Sequence, residues 1–320
     1  MQLARAAGCV AVAALAAPAA GTAHAQEANY PNRYIRILTS EAGSTNDIVS
    51  RVLARHLPEK LGQTVVVENR GGPAADVLAR SAPDGYSIML YGSSVWVLPY
   101  FRRMSYDPLR DLTGVSSAYS QAIILLVHPS LPVKSVRDLM ALAKARPGEL
   151  NYSAGTTAAT PHLAMELFRY QSKLNLVRVN YRGTQPAVNA LMAGEVQTMF
   201  TGAGSVMPMV KAGRLRAIAV TTAERSPLVP GLPTVAESGL PGYEFTSVVG
   251  VFAPAKTPAA IVNLLSREIA AILKRPDVVD PLFESGTAAL GSTPEAFDAR
   301  VRADIDRWRK IIHDTGIKIE

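Results

Sequence analysis

Cysteine is nearly absent from this chain of 320 residues: Cys9 stands alone, so no intrachain disulfide can form. Histidine is scarce, with five, and aromatic residues make up only 6%. Charged residues reach 18% against 48% hydrophobic, which excludes a disordered, collagen-like or coiled-coil chain and suits about two globular domains. The net charge of +7 is mild and evenly spread, so it leaves no nucleic-acid footprint. The chain has no phosphate-binding P-loop, dinucleotide fingerprint or nucleophile elbow. His56, His128, His162 and His313 are far apart and lack paired-ligand spacing. No metal site, cofactor or catalytic residue is therefore expected.

The N-terminus carries Arg5, an Ala/Val/Leu-rich run over 6–20 and the small-x-small site Ala23-His24-Ala25. This pattern is that of a secretory signal peptide cleaved after Ala25. The run is too short for a membrane anchor, and almost no apolar residues precede Cys9, which argues against a lipoprotein. Removing 1–25 takes Arg5 and the only cysteine with it, lowers the net charge to +6, and places the mature protein outside the cytoplasm with no thiol chemistry.

The remaining sequence alternates β-rich runs with amphipathic helices. Strands are expected at 34–39, 65–67, 86–91, 122–127, 150–153, 176–180, 196–200, 215–220 and 244–252. Helices are expected at 46–61, 74–82, 135–145, 161–170, 185–193 and 206–212, with three more closing the chain at 258–273, 277–285 and 294–315. The Pro/Gly-rich segment 226–243 interrupts the rhythm. An α/β fold follows, with two lobes, mainly parallel sheets and an interdomain cleft. The expected division is 26–121 in the first lobe, 122–225 in the second, and 226–320 returning to the first.

Two strand-to-helix loops match one another. One runs Ser40, Glu41, Ala42, Gly43, Ser44, Thr45, Asn46, Asp47; the other runs Ser153, Ala154, Gly155, Thr156, Thr157 towards His162. Each is rich in small residues and hydroxyls, and each opens a helix. A helix N-terminus offers unpaired N–H groups and about half a positive charge, so it can hold a carboxylate without a basic side chain. Hydroxyls before a helix are also ordinary caps, and it is the pairing, one loop per lobe, that points to a cleft for a small anion. Bulky substitutions at Gly43 or Gly155 are expected to block binding and spare folding.

Across 30–320 the chain resembles the tripartite tricarboxylate transporter receptors, the Bordetella uptake gene family of periplasmic solute-binding proteins. The resemblance lies in the stretches LGQTVVVENRGG, APDGY, YDPLRD, VHPSLPVKSVRDLMALAKARPGELNYSAG, NYRGTQPAVNALMAGEVQTMF, GRLRAIAVTTAERSPLVPGLPTVAESGLPGYE and GSTPEAFDA. It implies a Venus-flytrap clamshell that closes on a small organic acid in the periplasm and delivers it to membrane permease subunits, acting as a monomer without nucleic acid. It also implies, beyond the two loops, contributions from Ser93, Ser94, Tyr181, Arg182, Gly183, Thr246, Ser247 and Val248. The chain departs from the family where Glu41 enters the first loop, where Thr201-Gly202 replaces a frequent acidic residue, and where Val248 replaces a frequent aromatic. Alternatives are an exported sensor for a signalling partner and, more remotely, an exported hydrolase.

Overall fold

The computed structural model describes residues 29–155, 157 and 159–315. The expected signal segment 1–25 and loop residue Thr156 lie outside the described residues. The described residues open with β1 (Ile35–Thr39), α1 (Thr45–Leu61), β2 (Val65–Asn69), α2 (Ala74–Ala79), β3 (Ser87–Tyr91) and the short α3 (Ser94–Val97). The long β4 (Leu112–Gln121) then passes through Ala122 into β5 (Ile123–Val127). Next come α4 (Val136–Ala145), β6 (Asn151–Ala154), α5 (Thr160–Ser172), β7 (Val177–Asn180), α6 (Thr184–Ala193), β8 (Thr198–Gly202), α7 (Met207–Lys211) and β9 (Arg216–Val220). An irregular stretch leads to β10 (Ser247–Pro254), α8 (Ala259–Ile272), α9 (Pro276–Glu284), β11 (Thr287–Ala289) and α10 (Pro294–Thr315).

The strands form two sheets, one per lobe. The first has the order β11-β4-β10-β3-β1-β2 and the second β7-β6-β8-β5-β9. Both sheets are mixed, where mainly parallel sheets were expected. β1 runs parallel to β2 and β3, and β6 parallel to β7 and β8. β10 is antiparallel to both β3 and β4, and β5 is antiparallel to both β8 and β9. The antiparallel pairs involve the strands next to the lobe crossings, where the chain enters a sheet from the other lobe instead of through a helix. The crossings lie at Ala122 and in the stretch between β9 and β10. Ala122 N–H donates to Gly286 and Phe245 N–H to Thr221, which ties them down.

The few aromatic rings are concentrated in the core. Trp96, Phe252 and Phe297 pack in the first lobe, with Phe252 and Phe297 centroids 5.0 Å apart. Phe168, Phe200 and Tyr243 pack in the second, the last two stacked. Tyr243 spends its hydroxyl on the Ala164 carbonyl at 2.8 Å, which pins the irregular stretch onto α5. β4 was not expected from the sequence. Its LTGVSSAYSQ reads as polar, yet most of it is buried. The small residues let α10 approach closely, and Ser292 exchanges hydrogen bonds with Ser116 and Ser117.

A Cβ on Gly250 would fall 2.0 Å from the buried Phe297 ring. Gly250→Ala is therefore expected to destabilise the protein by about 1–3 kcal/mol through overpacking, read as a lower denaturation midpoint. An unchanged midpoint would show that Phe297 does not seat on that glycine.

Candidate functional site

The first loop is built by hydrogen bonds that the sequence dictates. Ser44 is the N-cap of α1, accepting the Asp47 N–H at 3.2 Å. Asp47 reaches back to the Gly43 N–H at 3.0 Å, a reciprocal capping arrangement. The Asp47 carboxylate also accepts from Asn69 at 2.9 Å and pairs with Arg51 at 3.0 Å. Asn69 in turn donates to the Ser40 carbonyl at 2.8 Å, closing the loop on β2. Ser40 and Ser44 hydroxyls meet at 2.7 Å. Tyr119 from β4 donates its phenol to the Asn46 side chain.

β1, β3 and β4 of one sheet and β6, β7 and β8 of the other all present their carboxyl ends to one cavity of about 80 Å³. This is where open α/β sheets place ligands. Among the described residues four helices begin there: the short α3 at Ser94, and the longer α1 at Thr45, α5 at Thr160 and α6 at Thr184. The N-caps of α5 and α6, Ala159 and Gly183, provide no side-chain cap. Their first-turn N–H groups thus face the cavity region without a capping oxygen from the N-cap. Among the described lining residues Glu41 alone carries a charge, and neither lysine nor arginine takes part. The lobes touch around the cavity: Thr160 Oγ1 lies 3.3 Å from the Ser93 hydroxyl and 3.4 Å from that of Ser247, and Gln185 reaches the Gly43 carbonyl at 3.5 Å. Burial and the Glu41 charge push the Tyr91 phenol far up, so it stays protonated.

Of the residues singled out in the sequence, Ser40, Glu41, Ser44, Thr45, Asn46, Ser94, Gly155, Thr201 and Gly202 line this cavity. Ala42 and Gly43 form the exposed outer turn of the first loop, and Ser93 and Ser247 contact Thr160 at its edge. Ser153 and Ala154 are buried in β6, and Thr157 accepts from Arg178 on the neighbouring strand. Arg182 is exposed, and the Tyr181 hydroxyl turns towards Glu195. Thr246 turns to Glu244, while Val248 packs beside Trp96 and Phe297. His162 is buried and faces Glu166 at 3.6 Å instead of the cavity. Burial keeps the imidazole below its ordinary pKa, while Glu166 stays ionised against its own burial through His162, Tyr152 and Arg169.

Gly155 changes meaning. A Cβ there would fall 2.9 Å from the Gly183 backbone, so the glycine is needed for the two loops to pack, not only for ligand approach. Gly43 has φ of +77°, so a side chain there strains the loop as well. Neither substitution is expected to spare the local structure. The sequence reading missed Tyr91, Tyr119, Gln121, Thr160, Thr184, Ser205 and Val249, all of which line the cavity. Thr184 had a usable signal, a glycine followed by a helix after β7; Gln121 and Tyr119 had none, because β4 itself was not legible.

Two lobes gripping a cavity at the carboxyl ends of their strands define a solute-binding protein of the periplasmic binding-protein fold. The chain belongs to the tripartite tricarboxylate transporter receptor family, whose model matches residues 49–317. It is 33% identical to BugT of Bordetella pertussis over 97% of this chain and 96% of that protein. A Rhodopseudomonas palustris protein solved with adipate superposes with a TM-score of 0.85 at 34% identity, covering 90% of this chain and 99% of that one. MatC from the same organism, with bound malate, gives 0.83 at 26% identity, covering 88% and 100%.

Asp47 holds the first loop, and this sets a pH dependence. Burial alone would raise its carboxyl, but hydrogen bonds from Asn69, Arg51 and Gly43 together hold it below the ordinary value. A depressed carboxylate stabilises the fold fully above its unfolded pKa of about 3.9, and that contribution is lost as pH falls through the folded value. Asp47→Ala is expected to cost about 1–3 kcal/mol near neutral pH and to lose less stability than the parent on acidification below about pH 4. Equal acid sensitivity in denaturation curves of the two proteins would remove Asp47 from this role.

Proposed function

We propose that this protein is an exported, monomeric receptor that captures a small organic carboxylate in the cleft and delivers it to a membrane permease of the tripartite tricarboxylate type. The observation that carries this reading is the convergence of the N-termini of the three longer helices α1, α5 and α6 on a cavity whose described lining holds no basic side chain. Backbone N–H groups and helix dipoles would hold the carboxylate there. Relatives solved with adipate and malate support the ligand class, and the signal-like N-terminus supports export. Contacts from both lobes to one ligand would favour the closed state over the open one, a population shift. Delivery to a permease rests on the family.

The test is a thermal-shift screen of succinate, malate, adipate and glutarate against their uncharged amides. A ligand that binds only the folded state adds about 2.7 kcal/mol of stability at a hundred times its Kd. At least one carboxylate is expected to raise the midpoint while its amide does not. Shifts confined to the amides would overturn the carboxylate reading.

A further inference from the structure

We propose that Gln121 reads a hydrogen-bond donor on the ligand, so that the site favours a carboxylate bearing a hydroxyl or ammonium group over the same carbon skeleton without one. This rests on the carboxylate reading above and names the class within it.

Gln121 is the last residue of β4, immediately before the chain crosses to the second lobe. It is held from both sides in the sheet, opposite Ser247 of β10 and Thr287 of β11. Its side chain lines the cavity, and its Oε1 is buried with no hydrogen-bond partner. A buried amide oxygen left unpaired costs free energy that an arriving donor would recover. The hydroxyl of Ser205, also at the cavity, is spent on the Gly202 carbonyl at 2.9 Å.

Gly202 makes the arrangement possible. A Cβ at 202 would fall 2.1 Å from Gln121 Oε1 and 2.5 Å from its Cδ, so the amide occupies the space that any side chain at 202 would take. The amide thereby places a neutral acceptor from β4 of the first sheet beside β8 of the second. Among the described lining residues Glu41 alone carries a charge. The cavity therefore presents helix N–H donors for a carboxylate together with an acceptor for an O–H or N–H group. A simple alkanoate would satisfy only the first.

Calorimetric titration of the purified protein with matched ligands tests this: malate and aspartate against succinate, lactate and alanine against propionate. One donor-bearing member is expected to bind roughly ten- to hundredfold more tightly than its partner. Gln121→Leu should collapse that ratio to below about threefold, and Gly202→Ala, by displacing the amide, should do the same. Gln121→Glu retains an acceptor and should retain the preference. Denaturation midpoints of each variant separate loss of selectivity from loss of folding. A ratio unchanged in Gln121→Leu, or no preference in the parent although carboxylates bind, overturns the proposal alone. Loss of preference in Gln121→Glu overturns the acceptor role. No binding of any carboxylate overturns the receptor reading as well.

Discussion

Helix N-termini need an acceptor, and in this protein those of three long helices open onto the same small cavity. α1 comes from one lobe, α5 and α6 from the other, and the first-turn N–H groups of the latter two have no capping side chain from their N-cap residues. The two mixed sheets fix this meeting, because every contributing helix follows a strand whose carboxyl end faces the cleft. Positive potential then comes from the backbone, and the lining needs no basic residue. The net charge of the chain is irrelevant to it, since the arginines near the cleft, Arg51 and Arg178, act on loop geometry instead.

The first loop is held in large part by polar groups outside the cavity lining. Asp47 gathers Gly43, Asn69 and Arg51 around itself and thereby fixes Ser40 and Ser44 at the lining. In the second lobe Gly155 packs directly against the Gly183 backbone, which sets the entry to α6 beside the entry to α5. Glu41 bridges the lobes. A Cβ on Gly71 of the first lobe or on Gly183 of the second would each stand 3.2 Å from its side chain, and both glycines have positive φ. Bare backbone at these positions leaves room for the Glu41 side chain between them.

The alternation of strands and helices was readable because each carried its own period, and so were the two small-residue loops, because each sat between a β-rich run and an amphipathic helix. β4 escaped for a physical reason. Its serines and glycine are buried under α10, where small size and hydrogen bonds to Ser292 replace apolar patterning. The cavity residues on β4, Tyr119 and Gln121, escaped with it. His162 misled because its position near a loop says nothing about direction; on α5 it points to Glu166. Proximity in sequence placed Asp47 and Gly155 at the right loops, but which of them faces a ligand depends on contacts with Asn69 and Gly183, far along the chain.

The central claim, that backbone N–H groups of converging helices grip the ligand, is most directly tested by a crystal structure with a bound carboxylate. The expected result is a carboxylate oxygen within about 3.2 Å of first-turn N–H groups from at least two of α1, α5 and α6, with no lysine or arginine in contact. A carboxylate held instead by a basic side chain such as Arg182, or bound outside this cavity, would contradict it.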